Sequence, residues 1–481
     1  MAQPRQIEVK NGWLACDGVP LIGLGHETDC WGGLTKADCL PEDVKPYREW
    51  LFELKPNVNI GRRAPAEIGP GRTEDLTQAA DALSRLGFAA YEHYYGLWYD
   101  RRRDMHDAKC KRPPATDTPT CAWDNPIAPF YEQPWARSGC GLATDGGTLY
   151  DLTRFNAWYF DRLRTFAELC AERGMLLLHG HHNQHTILEN TAHYADYAWN
   201  PANCVQDLPM PPQPDTICIC AAREFYDISK PAMRDLHRAY IRHCLDALSE
   251  SGVVMHKHGR EYTGPLAFTQ FWLDTIIEWK RETGKPALVC LCATKDVSDA
   301  VLADGVRRAH VDVVDLRGWW YQADGSPMAP LGGQEDQSGR YLGEIEQTAA
   351  PQLYRQVCEY RMRYPDIAIV HGVRSPEIAK QWALLAGGVS LNISRLDPLE
   401  PETIYDTITG GESFAPSAAF IREHVGKALL AMCPAPLVVN RSDENWCLAD
   451  AASGEYLVFA STGGEVALAD ADTHARLCAR W

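Results

Sequence analysis

The sequence predicts an α/β fold: a (β/α)8 barrel of parallel strands, followed by a small antiparallel β domain. Three observations predict it. Helix-period stretches alternate with short apolar runs along most of the chain. Glycine stands just past the helical stretches, where a left-handed cap is needed. The loops after the apolar runs are long and those before them short, which in a barrel marks the carboxyl face as the working face.

The elements follow in order. Residues 7–24 read as two short strands around the Asp17-Gly18 turn, then an apolar strand ending in His26, Glu27, Thr28 and Asp29. This is a first barrel strand behind a hairpin lid. A helix over 74–86 stops at Gly87 and leads to FAAYEHYY, and one over 156–173 stops at Gly174 and leads to MLLLHGHH. The helix over 231–250 stops near Gly252 before VVMHKHG, and that over 268–283 stops at Gly284 before ALVCLC. Helices over 297–309, 352–363 and 376–386 lead to VDVVD, DIAIVH and VSLNIS. Past about residue 430 the pattern becomes short alternating strands, NWCLADA, EYLVFAST and EVALADA, separated by glycine turns. Two domains are expected, 1–430 and 431–481.

The 481 residues, 45% hydrophobic and 23% charged, have the composition of a folded protein. A net charge of −17 argues against nucleic acid and anionic membranes as partners, because both require a basic face. The amino terminus lacks a secretory pattern, and no run of about 18 apolar residues offers a membrane span. Seventeen cysteines without paired CxxC spacing read as reduced thiols of a cytoplasmic protein, or of a secreted one whose signal peptide has been removed. No cofactor is expected, and a homo-oligomer stays open.

The carboxylate Glu261 follows the fourth strand in Gly259-Arg260-Glu261-Tyr262-Thr263-Gly264. Walled by a tyrosine, a carboxyl at a strand end can serve as general acid toward a glycosidic oxygen. Such cleavage needs a second carboxylate or an equivalent base. Asp315 is one candidate, since Val311, Val313, Asp315 and Arg317 share one strand face, and Asp29 at the end of the first strand is the other. Glu27, Glu92 and Asp296 are further carboxylates near strand ends.

His179, His181, His182 and His185 crowd into seven residues, and the fourth strand adds His256 and His258. His-x-His on a strand sets two imidazoles on one face, so a metal site completed by Asp315 is one reading. The other is a sugar cleft in which His181, Asn183 and Gln184 hold hydroxyls and His182 assists as acid or base. The sugar reading is preferred, and no metal ligand is assigned. His26, Glu27, Glu92, His93, His371 and Asn392 belong to the same set of binding groups. Tyr95, Tyr262, Trp319 and Trp320 supply flat faces for pyranose rings. Arg62, Arg260, Arg317 and Arg374 would fork onto a carboxylate or sulfate of the substrate.

Asp151 through Asn156, with Trp158 through Leu163 and Ala167 through Gly174, resembles the helix leading into strand three of clan-A-like bacterial glycoside hydrolases. The opening NGWLACDGVPLIGLG is similar to their amino-terminal hairpin, Glu261 to Gly264 falls where their strand-four acid lies, and Trp382 to Gly388 resembles their final helix and turn. Residues 445–469 look like their carboxyl-terminal β module. The resemblance implies a TIM-barrel glycosidase with a carbohydrate substrate. It departs at strand seven, where those enzymes place a nucleophilic glutamate and this chain reads Val370-His371-Gly372-Val373-Arg374. Either Glu377 reaches in or the enzyme inverts configuration, with Asp and His acting as in some inverting barrel sialidases. The expectation is an exo-acting, inverting glycoside hydrolase for an acidic sugar, sialic or uronic. Two alternatives stay open: a metal-dependent barrel hydrolase built on His179, His181, His182, His256 and His258, and a non-catalytic carbohydrate-binding barrel.

Overall fold

A computed structural model describes residues 5–27, 35–37, 72–74, 76–85, 87–94, 133–143, 148–182, 184, 187, 194, 197–212, 221–259, 262–333, 348–373, 377–395, 411–438, 445–461 and 463–469. Eight parallel strands close into a barrel: β1 (Gly23–Glu27), β2 (Ala90–Tyr94), β3 (Leu176–His182), β4 (Val254–Gly259), β5 (Leu288–Cys292), β6 (Val313–Asp315), β7 (Ala368–His371) and β8 (Val389–Arg395). Each strand neighbours the next in sequence, and β8 pairs with β1 to seal the ring. The helices fall between them as expected: α1 (Leu76–Arg85), α2 (Ala157–Arg173), α3 (Pro231–Leu248), α4 (Leu266–Thr283), α5 (Lys295–Ala303), α6 (Ala350–Arg363) and α7 (Ile378–Gly387), with α8 (Gly411–His424) after β8.

The alternation follows from local chemistry. Asn156 caps α2 by accepting from the Tyr159 amide, and Gly174 ends it at φ 69, a left-handed conformation that a side chain would strain. β3, β4 and β7 are buried at every residue, as parallel strands covered on both faces must be. The inner and outer layers merge into one apolar core, in which Leu177, Val289 and Val370 lie with Trp272, Leu353 and Leu163.

The amino-terminal segment differs from the expected hairpin. It has three antiparallel strands, Ile7–Lys10, Trp13–Cys16 and Val19–Pro20, because Asn11-Gly12 as well as Asp17-Gly18 takes positive φ at both residues and forms a second tight turn. It also covers the other end of the barrel. The Ile7 amide donates to the Gly252 carbonyl ahead of β4, and the Leu14 amide donates to Ser390 Oγ near the start of β8. The segment is therefore a floor beneath the amino ends of the strands and leaves the carboxyl ends uncovered by it.

At the carboxyl terminus, Cys433–Pro434, Asn445–Asp450 and Glu455–Ala460 form an antiparallel sheet. Its Trp446 and Phe459 rings stack on each other, on Tyr354 of α6 and on Trp382 of α7. Among the described residues, no helix is long and apolar enough to cross a membrane.

Candidate active site

Glu92 on β2, Lys257 on β4 and Asp315 on β6 come from strands that are not neighbours, so they can meet only across the barrel interior. Lys257 Nζ is bonded to Glu92 Oε1 and lies 3.0 Å from Asp315 Oδ2. Arg317, two residues past Asp315, turns back into the same space. Its Nη1 reaches Glu92 Oε2 at 2.8 Å, its Nη2 reaches Glu92 Oε1 at 3.0 Å and Asp315 Oδ2 at 2.5 Å, and its Nε reaches Asp315 at 3.0 Å. Two carboxylates and two cations balance. All four side chains are buried, as an interior charge must be paired to exist.

Burial alone would raise the Glu92 carboxyl, but the Arg317 and Lys257 charges overcome it and hold it near about 2. Asp315 is likewise opposed by burial, then pulled far below the usual carboxylate range by Arg317 and Lys257. Cys290 and Cys292 stand beside them on β5; burial, then the Asp315 charge, raise both thiols, Cys292 to about 12.

This geometry corrects three expectations. Asp315, expected as a base, has its carboxylate engaged by Lys257 and Arg317, which both hold its charged form. Arg317 already has both arms of its fork on protein carboxylates, so it is not the reader of an acidic sugar. Glu92, expected among the substrate-binding groups, has both carboxylate oxygens bonded to Lys257 and Arg317 in the same network.

The quartet also accounts for the residues at the end of β7. A Cβ on Gly372 would fall 2.1 Å from Arg317 Cδ and 2.3 Å from the Ile393 carbonyl oxygen, so the Arg317 stem occupies the space a side chain there would need. Gly372→Ala is expected to cost about 1–3 kcal/mol through overpacking against a backbone oxygen that cannot yield. A thermal unfolding midpoint within a degree of wild type would contradict this. His371 beside it turns away from the mouth: its Nδ1 accepts from the Gly372 amide, and its Nε2 faces Gln356 Oε1 of α6 at 3.1 Å. Asn392 is similarly spent, accepting from the Val373 amide and donating to the Val373 carbonyl and Gln381 Oε1. His371 and Asn392 thus join strands to their flanking segments and do not line a sugar site.

At the mouth, β3 and β4 approach so closely that a Cβ on Gly259 would lie 2.2 Å from the His182 carbonyl oxygen. Tyr262 is buried, its ring stacked on His258 at 4.6 Å. Gln184 Nε2 donates to Thr263 Oγ1, and its Oε1 accepts from the Thr263 amide and the Tyr226 hydroxyl. Tyr262 and Gln184, expected as sugar contacts, instead fasten the segments that follow β3 and β4. Trp319 and Trp320 are also buried, Trp319 beneath the Lys295 ammonium and against Tyr360 of α6. The face of Trp319 is used in packing.

The histidines occupy a different layer. Strand register aligns His93 with His179 and His179 with His256. Their rings meet helix residues: His93 meets Tyr159 of α2, and His181 meets Tyr240 of α3 and Trp272 of α4. His182 packs among Phe225, His237, Tyr240 and Phe268. The His93 and His181 rings lie between the barrel and its helices and the His182 ring is enclosed by aromatic side chains, positions that do not support the sugar contacts expected of the first two or the acid or base role expected of the third. Burial keeps them neutral, lowering His93 and His256 to about 3 and His182 well below its ordinary value.

Asp29, Arg62, Tyr95, Asn183, Arg260, Glu261 and Arg374 lie outside the described residues, as do the side chains of His26 and Glu27. Lys257 is the residue that reading the sequence missed. Its signal was present, because a lysine inside the apolar run VVMHKHG must be paired if that run is a covered strand.

Fold and site define a closed (β/α)8 barrel with a neutralised ionic floor under its carboxyl mouth. Residues 1–409 match a family described as a domain of unknown function, DUF6298, and the chain belongs to that family. No curated protein matches it. Among solved structures it is similar to a glycoside hydrolase family 5 protein from Bacteroides vulgatus, at 10% identity and TM-score 0.45, over 92% of this chain and 78% of that one. It is also similar to a glycoside hydrolase family 5 mannosidase from Rhizomucor miehei, at 12% identity and TM-score 0.41, over 88% of this chain and 97% of that one.

Proposed function

We propose that this chain is a glycoside hydrolase working at the carboxyl mouth of the barrel, with Glu261 as the general acid. The observation that supports the reading is the fixing of Glu261's neighbours. Gly259 ends β4 in contact range of β3, and Tyr262 and Thr263 are held by His258 and Gln184. General acid catalysis at a glycosidic oxygen needs a restricted proton donor, and the described residues on either side of Glu261 in sequence are held in this way.

Water is the attacking group in this proposal, and the configuration inverts. The stretch at the end of β7 favours this, since Gly372 there leaves its space to Arg317 and offers no carboxylate nucleophile. With Asp315 held in the floor, Asp29 is the base. The substrate is an acidic sugar, sialic or uronic, removed from a chain end, its carboxylate read by Arg62, Arg260 or Arg374.

Glu261→Gln is expected to lower turnover of acidic aryl glycosides at least ~10²-fold with folding intact. Asp29→Asn should abolish turnover without weakening binding, and NMR of fresh product should show the inverted anomer first. Near-normal activity of Glu261→Gln removes that residue from the mechanism. Retention of configuration would turn attention to Glu377 or Glu27 as nucleophile.

A further inference from the structure

β3 carries His179 and His181 on the side that faces the helices, and Cys244 of α3 meets them there. One ring nitrogen of each histidine and Cys244 Sγ lie within 4.8 Å of one another, and all three side chains are buried. Among the described residues this is the one such grouping of histidine, cysteine or carboxylate donors.

The neighbours decide where protons sit. Trp272 Nε1 can only donate, and it donates to His181 Nδ1 at 3.0 Å. His181 therefore carries its proton on Nε2, which faces His256 Nδ1 at 3.1 Å and donates to it. His179 Nδ1 faces His93 Nδ1 at 3.2 Å, and His179 Nε2 is buried with no hydrogen-bond partner. When His179 gives its Nδ1 proton to His93, its buried Nε2 is left as a lone pair with no hydrogen-bond donor. Each histidine then hands one N–H to a second imidazole and keeps the other nitrogen as a lone pair. That is the arrangement in which metal-ligating histidines are held.

We propose that His179, His181 and Cys244 bind one thiophilic transition-metal ion of the zinc or copper(I) class, tying β3 to α3 in the layer outside the barrel lumen. The donor set of two imidazoles and a thiolate suits such an ion and disfavours hard cations such as magnesium or calcium. On binding, the Cys244 S–H bond breaks and its proton leaves to solvent, while the sulfur lone pair and the two nitrogen lone pairs form the bonds to the ion. Trp272 Nε1–H releases His181 Nδ1 to the metal, and the His181 Nε2–H bond to His256 is kept. No oxidant or reductant is needed. The ion is a structural clamp, separated by the strand layer from the Glu92–Lys257–Asp315–Arg317 floor. The proposal therefore stands whether or not the chain hydrolyses glycosides.

The full-length chain, produced in zinc-supplemented medium and dialysed, is assayed for bound metal by elemental mass spectrometry. A second sample is refolded with Co²⁺, because a site this deep loads as the layers close. About one zinc per chain is expected, with a near-ultraviolet thiolate-to-cobalt absorption band in the refolded sample. Cys244→Ala should abolish the band, and His179→Gln should reduce bound zinc at least ~10-fold. Folded wild-type chain holding no stoichiometric zinc and showing no cobalt band overturns the proposal, and this readout needs no variant to fold. A Cys244→Ala chain that keeps a full equivalent of zinc also overturns it, since the metal would then lie elsewhere.

Discussion

Replacing Lys257 with methionine is expected to destabilise the fold by about 3–5 kcal/mol, the cost of leaving a buried charge without its partner. The side chains are similar in length, so packing changes little and the charge accounts for the loss. Lys257 stands between Glu92 and Asp315, and without it the two buried carboxylates are left to share Arg317. Denaturant titration at neutral pH measures the change, with the slope checked against wild type so that a shifted midpoint reports stability. A second variant separates charge from shape. Glu92→Gln combined with Lys257→Met removes one charge of each sign, and the pair should cost less than the sum of the singles by about 1–3 kcal/mol, as groups in one network do. Strict additivity, or a Lys257→Met loss below about 1 kcal/mol, would mean that the quartet does not act as a neutral unit.

The same residues show what the sequence could tell and what it withheld. The alternation of helix and strand was legible because each boundary has a local chemical cause, such as the Asn156 cap and the left-handed Gly174, which needs no knowledge of partners. Which side of a strand faces the lumen was not legible. In β3 and β4 every residue is buried, so apolar character is nearly continuous and the period of two carries no contrast between inside and outside. The spacing His179-Gly180-His181 correctly places two imidazoles on one face, but nothing in it says that this face looks toward Trp272 and Cys244. Glu92 and His93 are adjacent, so on a strand they cannot both face the lumen, and parity alone excluded assigning both to one cleft. The interior was fixed by a contact between distant strands, Glu92 with Lys257 and Arg317, separated by 165 and 225 residues. Sequence spacing cannot express such a contact. Arg317 failed as a substrate reader for the same reason: its fork was visible, and the protein carboxylates that fill it were not.

Acidification is expected to unfold the protein above the pH at which carboxylates titrate, and three histidines away from the proposed metal ligands are enough for the effect, to which the other buried rings add in the same direction. Burial lowers His237 to about 4, against a small upward pull from its bond to the Phe225 carbonyl. Burial likewise lowers His258 to about 3, with the Thr269 backbone raising and Lys257 lowering it further. His371 falls to about 4 through burial, with Asp315 raising and Arg317 lowering it. In the folded chain these rings stay neutral, whereas in the unfolded chain each takes a proton below about pH 6.5. The folded pKa values are depressed, so the stability they allow is complete above about pH 6.5 and is lost as pH falls from there toward about 4, where the folded rings begin to protonate too. Three groups together give a slope of about 4 kcal/mol per pH unit, or a loss of about 6 kcal/mol at pH 5. That matches the whole stability of many domains, about 5–15 kcal/mol, so cooperative unfolding should set in near pH 5. Denaturant midpoints at about pH 7, 6 and 5.5 measure the slope. His237→Gln keeps a donor for the Phe225 carbonyl but cannot take up a proton in the unfolded state, so it should lower the slope by about 1.4 kcal/mol per pH unit. Midpoints that stay level from pH 7 to 5 would show that these rings reach water, or protonate, inside the fold.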